Sequence, residues 1–197
     1  MPWMPDYATT AELKAFVRIG DAADDAQIAL ALSAASRSVD RACNRQFGLS
    51  AVQDRFYTAD GNGWVEIDDL PSIIGLVVGA DSAGDNLYGT SVTGWVGYPL
   101  NAPSDGLPYT TLGGQYATPG GLSGSRIKVT AAFGWAAVPT TIKQATLLQA
   151  SRFLSRRDSP YGIAGSPDAG SEMRLLAKMD PDVSLIVRPF YRWWGMV

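Results

Sequence analysis

Residues 138–165, VPTTIKQATLLQASRFLSRRDSPYGIAG, hold a helix with a start, a basic end and a distinct exit, and the rest of the chain can be organised around it. Pro139 stands where a first helical residue belongs, because its missing N–H would have no intrahelical partner there. Ile142, Ala145, Leu147, Leu148 and Leu154 supply an apolar stripe at helical spacing. Arg152, Arg156 and Arg157 crowd the last turns, where positive charge complements the exposed carbonyls. Ser159-Pro160-Tyr161-Gly162 forbids continuation, so the helix is expected to end near Arg157 or Asp158.

Towards the N-terminus the same grammar repeats. Thr9 and Glu12 have the spacing of a capping box, which predicts a short helix in TTAELKAFVRIG stopped at Gly20. Asp24 and Gln27 repeat that spacing and open a long helix expected to reach about Gln46, with Ile28, Leu32, Ala35, Val39, Ala42 and Cys43 on one face. On the other face Arg37, Arg41 and Arg45 recur every four residues as a basic stripe about 12 Å long. Such a stripe can be a solvated helix face, an ion-pair partner for a neighbouring subunit, or a contact to nucleic-acid phosphate. Solvation is the default for charge on an amphipathic helix. Guanidinium groups also suit bidentate pairing with carboxylates at interfaces, and Asp24, Asp25, Asp68 and Asp69 offer acidic counterparts.

The middle of the chain, from about Ala51 to Trp135, reads as strands and turns. AVQDRFYTAD and WVEIDDL flank Gly61-Asn62-Gly63, a hairpin-type connection in which Asn-Gly supplies positive φ angles. SIIGLVVGAD is a continuous apolar run, as expected of a strand buried on both faces. Residues 89–124 are too rich in Gly, Pro, Ser and Thr for a helix and predict an extended β-arm or ordered loop, after which RIKVTAAFGW returns as a strand. The expected class is α+β with a mainly α-helical core, two long helices plus short ones, and a β-rich, Gly/Pro-rich insertion. The organisation read from this is one domain over 1–197, helical at 7–47 and 136–190, with the insertion at 51–135 and a flexible C-terminal tail at 188–197.

Composition removes whole classes of chemistry. At 197 residues and 46% hydrophobic, the chain is long enough to bury roughly 70% of its unfolded surface. No apolar run approaches the ~20 residues needed to cross a bilayer, and MPWMPDYATT has neither the basic start nor the apolar stretch of a secretory signal, so a cytosolic product is expected. With a single cysteine and no histidine, there is no internal disulfide and no imidazole base or metal ligand. Cys43, in phase with Val39, is expected in the core. A formal charge of −3 gives no reason to expect general nucleic-acid affinity.

Site motifs are equally sparse. GxxxxGK[ST] is absent, and the Gly-rich stretch from Gly120 to Arg126 leads into a strand instead of a helix N-terminus. The acidic pairs Asp68-Asp69 and Asp180/Asp182 lack an EF-hand pattern, and Asp180-Pro181 is better read as a helix N-cap. Without His, a Ser or Cys nucleophile has no base. The chain therefore reads as a non-enzyme with no catalytic, cofactor-binding or metal site and no cofactor.

AASRSVDRACNRQF, a strand ending in Phe-Gly-Trp, the 138–165 segment, and MDPDV followed by an aromatic-basic tail together resemble the phage head–tail connector proteins, the adaptor family. The likeness covers roughly residues 7–47 and 126–192. It implies a structural virion protein: a homo-oligomeric ring, commonly of twelve copies, under the portal protein at the capsid vertex. Such a ring extends the DNA channel, lets DNA pass non-specifically, and docks the next neck, stopper or tail protein. Assembly would occur in the host cytoplasm, with no membrane involved. Arg37, Arg41, Arg45, Arg156, Arg157 and Asp158 are the candidates for the subunit interface or channel, and acidic residues of the β-arm or inter-helix loops could line it.

The tail PFYRWWGMV places Phe190, Tyr191, Trp193 and Trp194 beside Arg188 and Arg192 in a short non-helical segment, the residue types that dominate interface hot spots. By resemblance it is a portal-docking tail; the competing reading is that its aromatics fold back on the protein's own core. The alternatives for the whole chain are another neck component, a stopper or tail-completion protein expected to be mostly β, or a small terminase subunit, which would need a helix-turn-helix and a basic patch.

Overall fold

The computed structural model describes residues 4–81, 83–114, 124–158, 163–164, 173–174 and 180–193. The chain divides into two compact units, one made of Met1–Phe47 and Val138–Trp194, the other centred on Gly48–Ala137.

In the helical unit, α1 (Thr10–Val17) begins as the sequence predicts, with a complete capping box between Thr9 and Glu12. It ends earlier than Gly20: Arg18 takes the left-handed conformation at φ 61° and its N–H returns to the Lys14 carbonyl. Helix α2 (Asp25–Cys43) buries Ile28, Leu32, Ala35, Val39 and Cys43, as the periodicity requires. Two details of its reading are corrected. Asp24 makes no side-chain capping bond, so the second capping box does not form, and the helix stops at Cys43 rather than Gln46 because Asn44 adopts φ 53°. Asn tolerates that left-handed turn better than most residues, and the turn takes Arg45 off the helix.

Helix α3 (Thr140–Asp158) ends where the basic last turns place it. Pro139 sits one position ahead of it, its carbonyl accepting from Lys143 N–H at 3.0 Å. The stop signal Ser159–Gly162 lies outside the described residues. Ile142, Ala145, Leu147 and Ala150 are buried, and Leu147 and Ala150 pack with Leu13, Ile28, Leu32 and Ala35 into one core shared by α1, α2 and α3. Short strands β8 (Ile163–Ala164) and β9 (Met173–Arg174) pair antiparallel. Helix α4 (Pro181–Val187) starts at Asp180, whose carboxylate accepts Asp182 N–H at 2.9 Å with Pro181 just inside. A 3-10 turn, Arg188–Phe190, follows directly, so this part of the tail is helical in character and not irregular.

The second unit has a core of its own and is antiparallel throughout its described strands. One sheet runs β1 (Leu49–Thr58), β7 (Arg126–Gly134), β3 (Val77–Asp81), β4 (Thr90–Ser91); the other runs β2 (Val65–Leu70), β6 (Tyr109–Gly114), β5 (Trp95–Tyr98). Strand β7 alternates cleanly, Ile127, Val129, Ala131 and Phe133 inward. These side chains meet Val78 and Ala80 of β3 and Val65, Ile67, Leu70 and Leu112 of the other sheet. A unit with this much organised β structure does not fit a description of the chain as mainly helical at its core. Mixed α and β is the class that stands.

The expected hairpin across Gly61–Gly63 does not exist. β1 pairs with β7, Thr58 opposite Arg126, and β2 pairs with β6 in the other sheet. The turn itself is built on Asp60, whose Oδ1 accepts the N–H groups of Asn62 and Trp64, each at 2.8 Å, with Gly63 at φ 81°. It redirects the chain from one sheet to the other. The apolar run SIIGLVVGAD likewise yields only the five-residue β3: Ile74 is exposed in the turn before it, and Val77 is exposed on the outer face. Within 89–124 the described residues form β4, β5 and β6; residues 115–123, including much of the Gly-rich stretch, lie outside the description.

Candidate functional site

Arg37, Arg41 and Arg45 do not form a continuous stripe. Arg37 is drawn inward, where it pairs with Asp40 at 3.2 Å, donates to the Pro5 carbonyl and lies 5.7 Å from the centre of the Tyr7 ring. Tyr7 is buried, donates its hydroxyl hydrogen to Asp40 Oδ1 and accepts Phe47 N–H at 2.9 Å. Its own N–H donates to Ser36 Oγ at 3.2 Å. Burial, then the bond to Asp40, pushes the Tyr7 phenol up; burial also raises the Asp40 carboxyl against the opposing pull of Tyr7 and Arg37. This cluster fastens the segment before α1 onto α2. Of the three arginines, Arg41 is the exposed one.

Three of the four acidic counterparts, Asp25, Asp68 and Asp69, are engaged within their own units. Asp25 pairs with Lys14 at 2.7 Å. Asp68 pairs with Arg55 at 2.6 Å and accepts the Tyr57 hydroxyl at 2.8 Å, while the Arg55 guanidinium stacks 4.4 Å from the centre of Phe133. Asp69, buried, accepts the indole N–H of Trp135 at 2.9 Å. The Asp68 and Asp69 contacts are struts tying β2 to β1 and to the residue after β7, and among the described residues no group of three or more His, Cys, Asp or Glu is placed to hold a metal ion. Cys43 is fully buried and its thiol is pushed up to about 12 by that burial, which makes it inert as a nucleophile.

At the end of α3, Arg152 pairs with Asp180 at 3.1 Å, joining α3 to the start of α4. The side chains of Arg157 and Asp158 lie outside the described residues, as does Trp194. Arg156 is half-buried.

The tail residues divide. Phe190 packs edge-on against Phe47 at 5.7 Å, and Arg192 is buried, its N–H donating to the Cys43 carbonyl at 2.9 Å while its carbonyl accepts Asn44 Nδ2 at 3.1 Å. Those two fold back onto the end of α2. Arg188, Tyr191 and Trp193 stay outside, with Tyr191 and Trp193 stacked edge-on at 4.9 Å. Ala42, Ser184, Val187, Arg188 and Tyr191 line a shallow pocket of about 220 Å³ there.

Reading the sequence missed two things. One is the Tyr7–Asp40 pair, separated by 33 positions and invisible to any local pattern. The other is an apolar groove of about 270 Å³ lined by Gln27, Leu30, Ala31, Ala34, Phe153 and Leu154. Its sequence signal is the uncharged stretch AQIALALSAAS at 26–36, longer than one buried face needs.

Among solved structures, the chain is similar to one from the neck of an empty gene transfer agent (GTA) particle computed with C6 symmetry. The TM-score is 0.58 at 20% identity, covering 100% of this chain and 95% of that one. The two share a fold. No protein-family profile matches, and no curated protein does. No helix among the described residues is long and apolar enough to cross a membrane.

Proposed function

We propose that the chain is a structural neck component of a phage-like particle, and within the neck the head-to-tail adaptor: a homo-oligomeric ring under the portal that extends the DNA channel and docks the next neck or tail protein. The observation that carries this reading is the fold match along the whole chain to a protein of a particle neck. The sixfold symmetry of that neck is compatible with a ring of twelve. The role is structural rather than catalytic, supported by the absence of histidine and the sealed thiol of Cys43.

Native mass spectrometry of the chain, alone and with the portal protein of the same particle, tests it. A complex with one copy per portal subunit is expected. Absence of portal binding, with the chain joining a downstream neck protein instead, would favour the second reading, a stopper or tail-completion protein. The organised β unit, with its own core, is the feature that keeps that reading in play.

A further inference from the structure

Two dissimilar surfaces lie at opposite ends of α2. Near its N-terminal end is the groove between α2 and α3, where Leu30 is 67% exposed above Phe153 and Leu154. From Ala26 to Ser36 the helix carries no charged side chain, whereas a solvated helix face ordinarily does. An exposed apolar groove on an uncharged face marks a surface that something covers. The residues leading into that end are acidic: Asp21, Asp24 and Asp25, with Asp25 shared with Lys14.

From Leu30 to Ala42, about 18 Å along the helix axis, the character reverses. There Arg41 and Arg188 are exposed, and Tyr191 and Trp193 stack on each other with Trp193 83% exposed. One end of the helical unit is concave with an apolar floor, the acidic entry to α2 on one side and the basic last turn of α3, with Arg156, on the other; the other end is cationic and projects aromatic rings.

We propose that these surfaces are the two halves of one interface between copies of this chain, the Tyr191–Trp193 pair of one copy entering the groove beside Leu30 of the next. Arg188 and Arg41 then approach the acidic approach to α2, so that charge sets the orientation and the buried rings supply the affinity. The two surfaces differ, so the contact is head-to-tail and propagates around a closed ring or along a filament. A symmetric pairing of two grooves would leave Trp193 in water on both copies. The inference rests on the neck reading for the idea of a ring, and on the shape and charge of the helical unit for its faces.

Ala34→Cys at the groove and Ser184→Cys beside Tyr191, made in separate full-length chains at exposed positions that leave Leu30 and both rings in place, test it with a short bis-maleimide cross-linker. Because Cys43 is buried, the parent chain gives the background. The equimolar mixture is expected to yield covalent dimer at least an order of magnitude above either variant alone, and a chain bearing both substitutions to yield a ladder of higher multimers. Dimer from Ala34→Cys alone as abundant as from the mixture would overturn the proposal in favour of a symmetric contact. No dimer above background would overturn it as well. Portal binding in native mass spectrometry is decided separately, so the interface can fail while the neck reading survives.

Discussion

The helical unit and the β unit solve the same problem with different kinds of contact. In the first, caps, apolar periodicity and helix ends are local, and a few contacts, Tyr7–Asp40, Glu12–Lys143 and Arg192–Cys43, reach across the sequence. In the second almost nothing is local: β1 finds its partner in β7, with Gln53 opposite Ala131, and polar side chains are consumed as struts between strands. The contrast extends to the surface. The helical unit turns an apolar groove and an aromatic pair outward, while the β unit spends Asp68 and Asp69 on its own strands. Apolar side chains are exposed on both units, Val52, Phe56, Ile74 and Val77 on the β unit among them, so what separates the two is that the helical unit gathers its own into a groove and a ring pair.

Perturbing each core in turn tests that contrast. Phe133→Ala removes a fully buried ring beneath Arg55 and Tyr57 and should cost about 3–5 kcal/mol. Hydrogen exchange should show lost protection concentrated in β1, β3 and β7, and equal loss across α2 would mean the units do not respond separately. Asp40→Ala strikes the helical unit, leaving Arg37 and Tyr7 without their shared acceptor. A loss of about 2–3 kcal/mol is expected in urea unfolding; an unchanged midpoint would show that the cluster is decorative.

Gly79→Ala is sharper than its size suggests. A Cβ at Gly79 would stand 2.5 Å from the Tyr88 carbonyl oxygen, a backbone atom that cannot rotate away, so a loss of roughly 1–3 kcal/mol is expected. The smallest effect concerns pH. Glu12 accepts from Lys143 Nζ at 2.7 Å and from Thr9 N–H, and these bonds, Lys143 first, hold its carboxyl down to about 2 from an ordinary 4.5. A depressed carboxyl stabilises the folded state above its unfolded value and loses that contribution as pH falls from 4.5 towards 2. Glu12→Gln should therefore melt slightly below the parent at pH 7, with the gap closing in that window and shrinking in high salt. A gap independent of pH would assign the effect to packing instead.

How much was legible in the sequence follows the same division. Thr9, Asp180 and the basic end of α3 were readable because a cap or a last turn is decided within four residues. Asn44 and Arg18 ended their helices earlier than the pattern implied, since a left-handed residue other than glycine carries a weak sequence signal. The hairpin at Gly61–Gly63 was misread because the turn residues are genuine but the pairing they imply is local, and the alternation of β1 is satisfied equally well by β7. Of the tail, the aromatic-basic composition was plain, yet which rings turn inward depends on Phe47 and Cys43, far away in sequence. The groove at Leu30 needed α2 and α3 side by side before it could be seen.

Cys43 offers one more use of the fold. As the chain's sole thiol, enclosed beside Val187 and beneath the backbone bond from Arg192, it is shielded from reagent for as long as the end of α2 and the tail stay together. Its modification rate is therefore a built-in clock for the opening of that corner, readable by mass without any label, and a docking partner that clamps the tail would slow it.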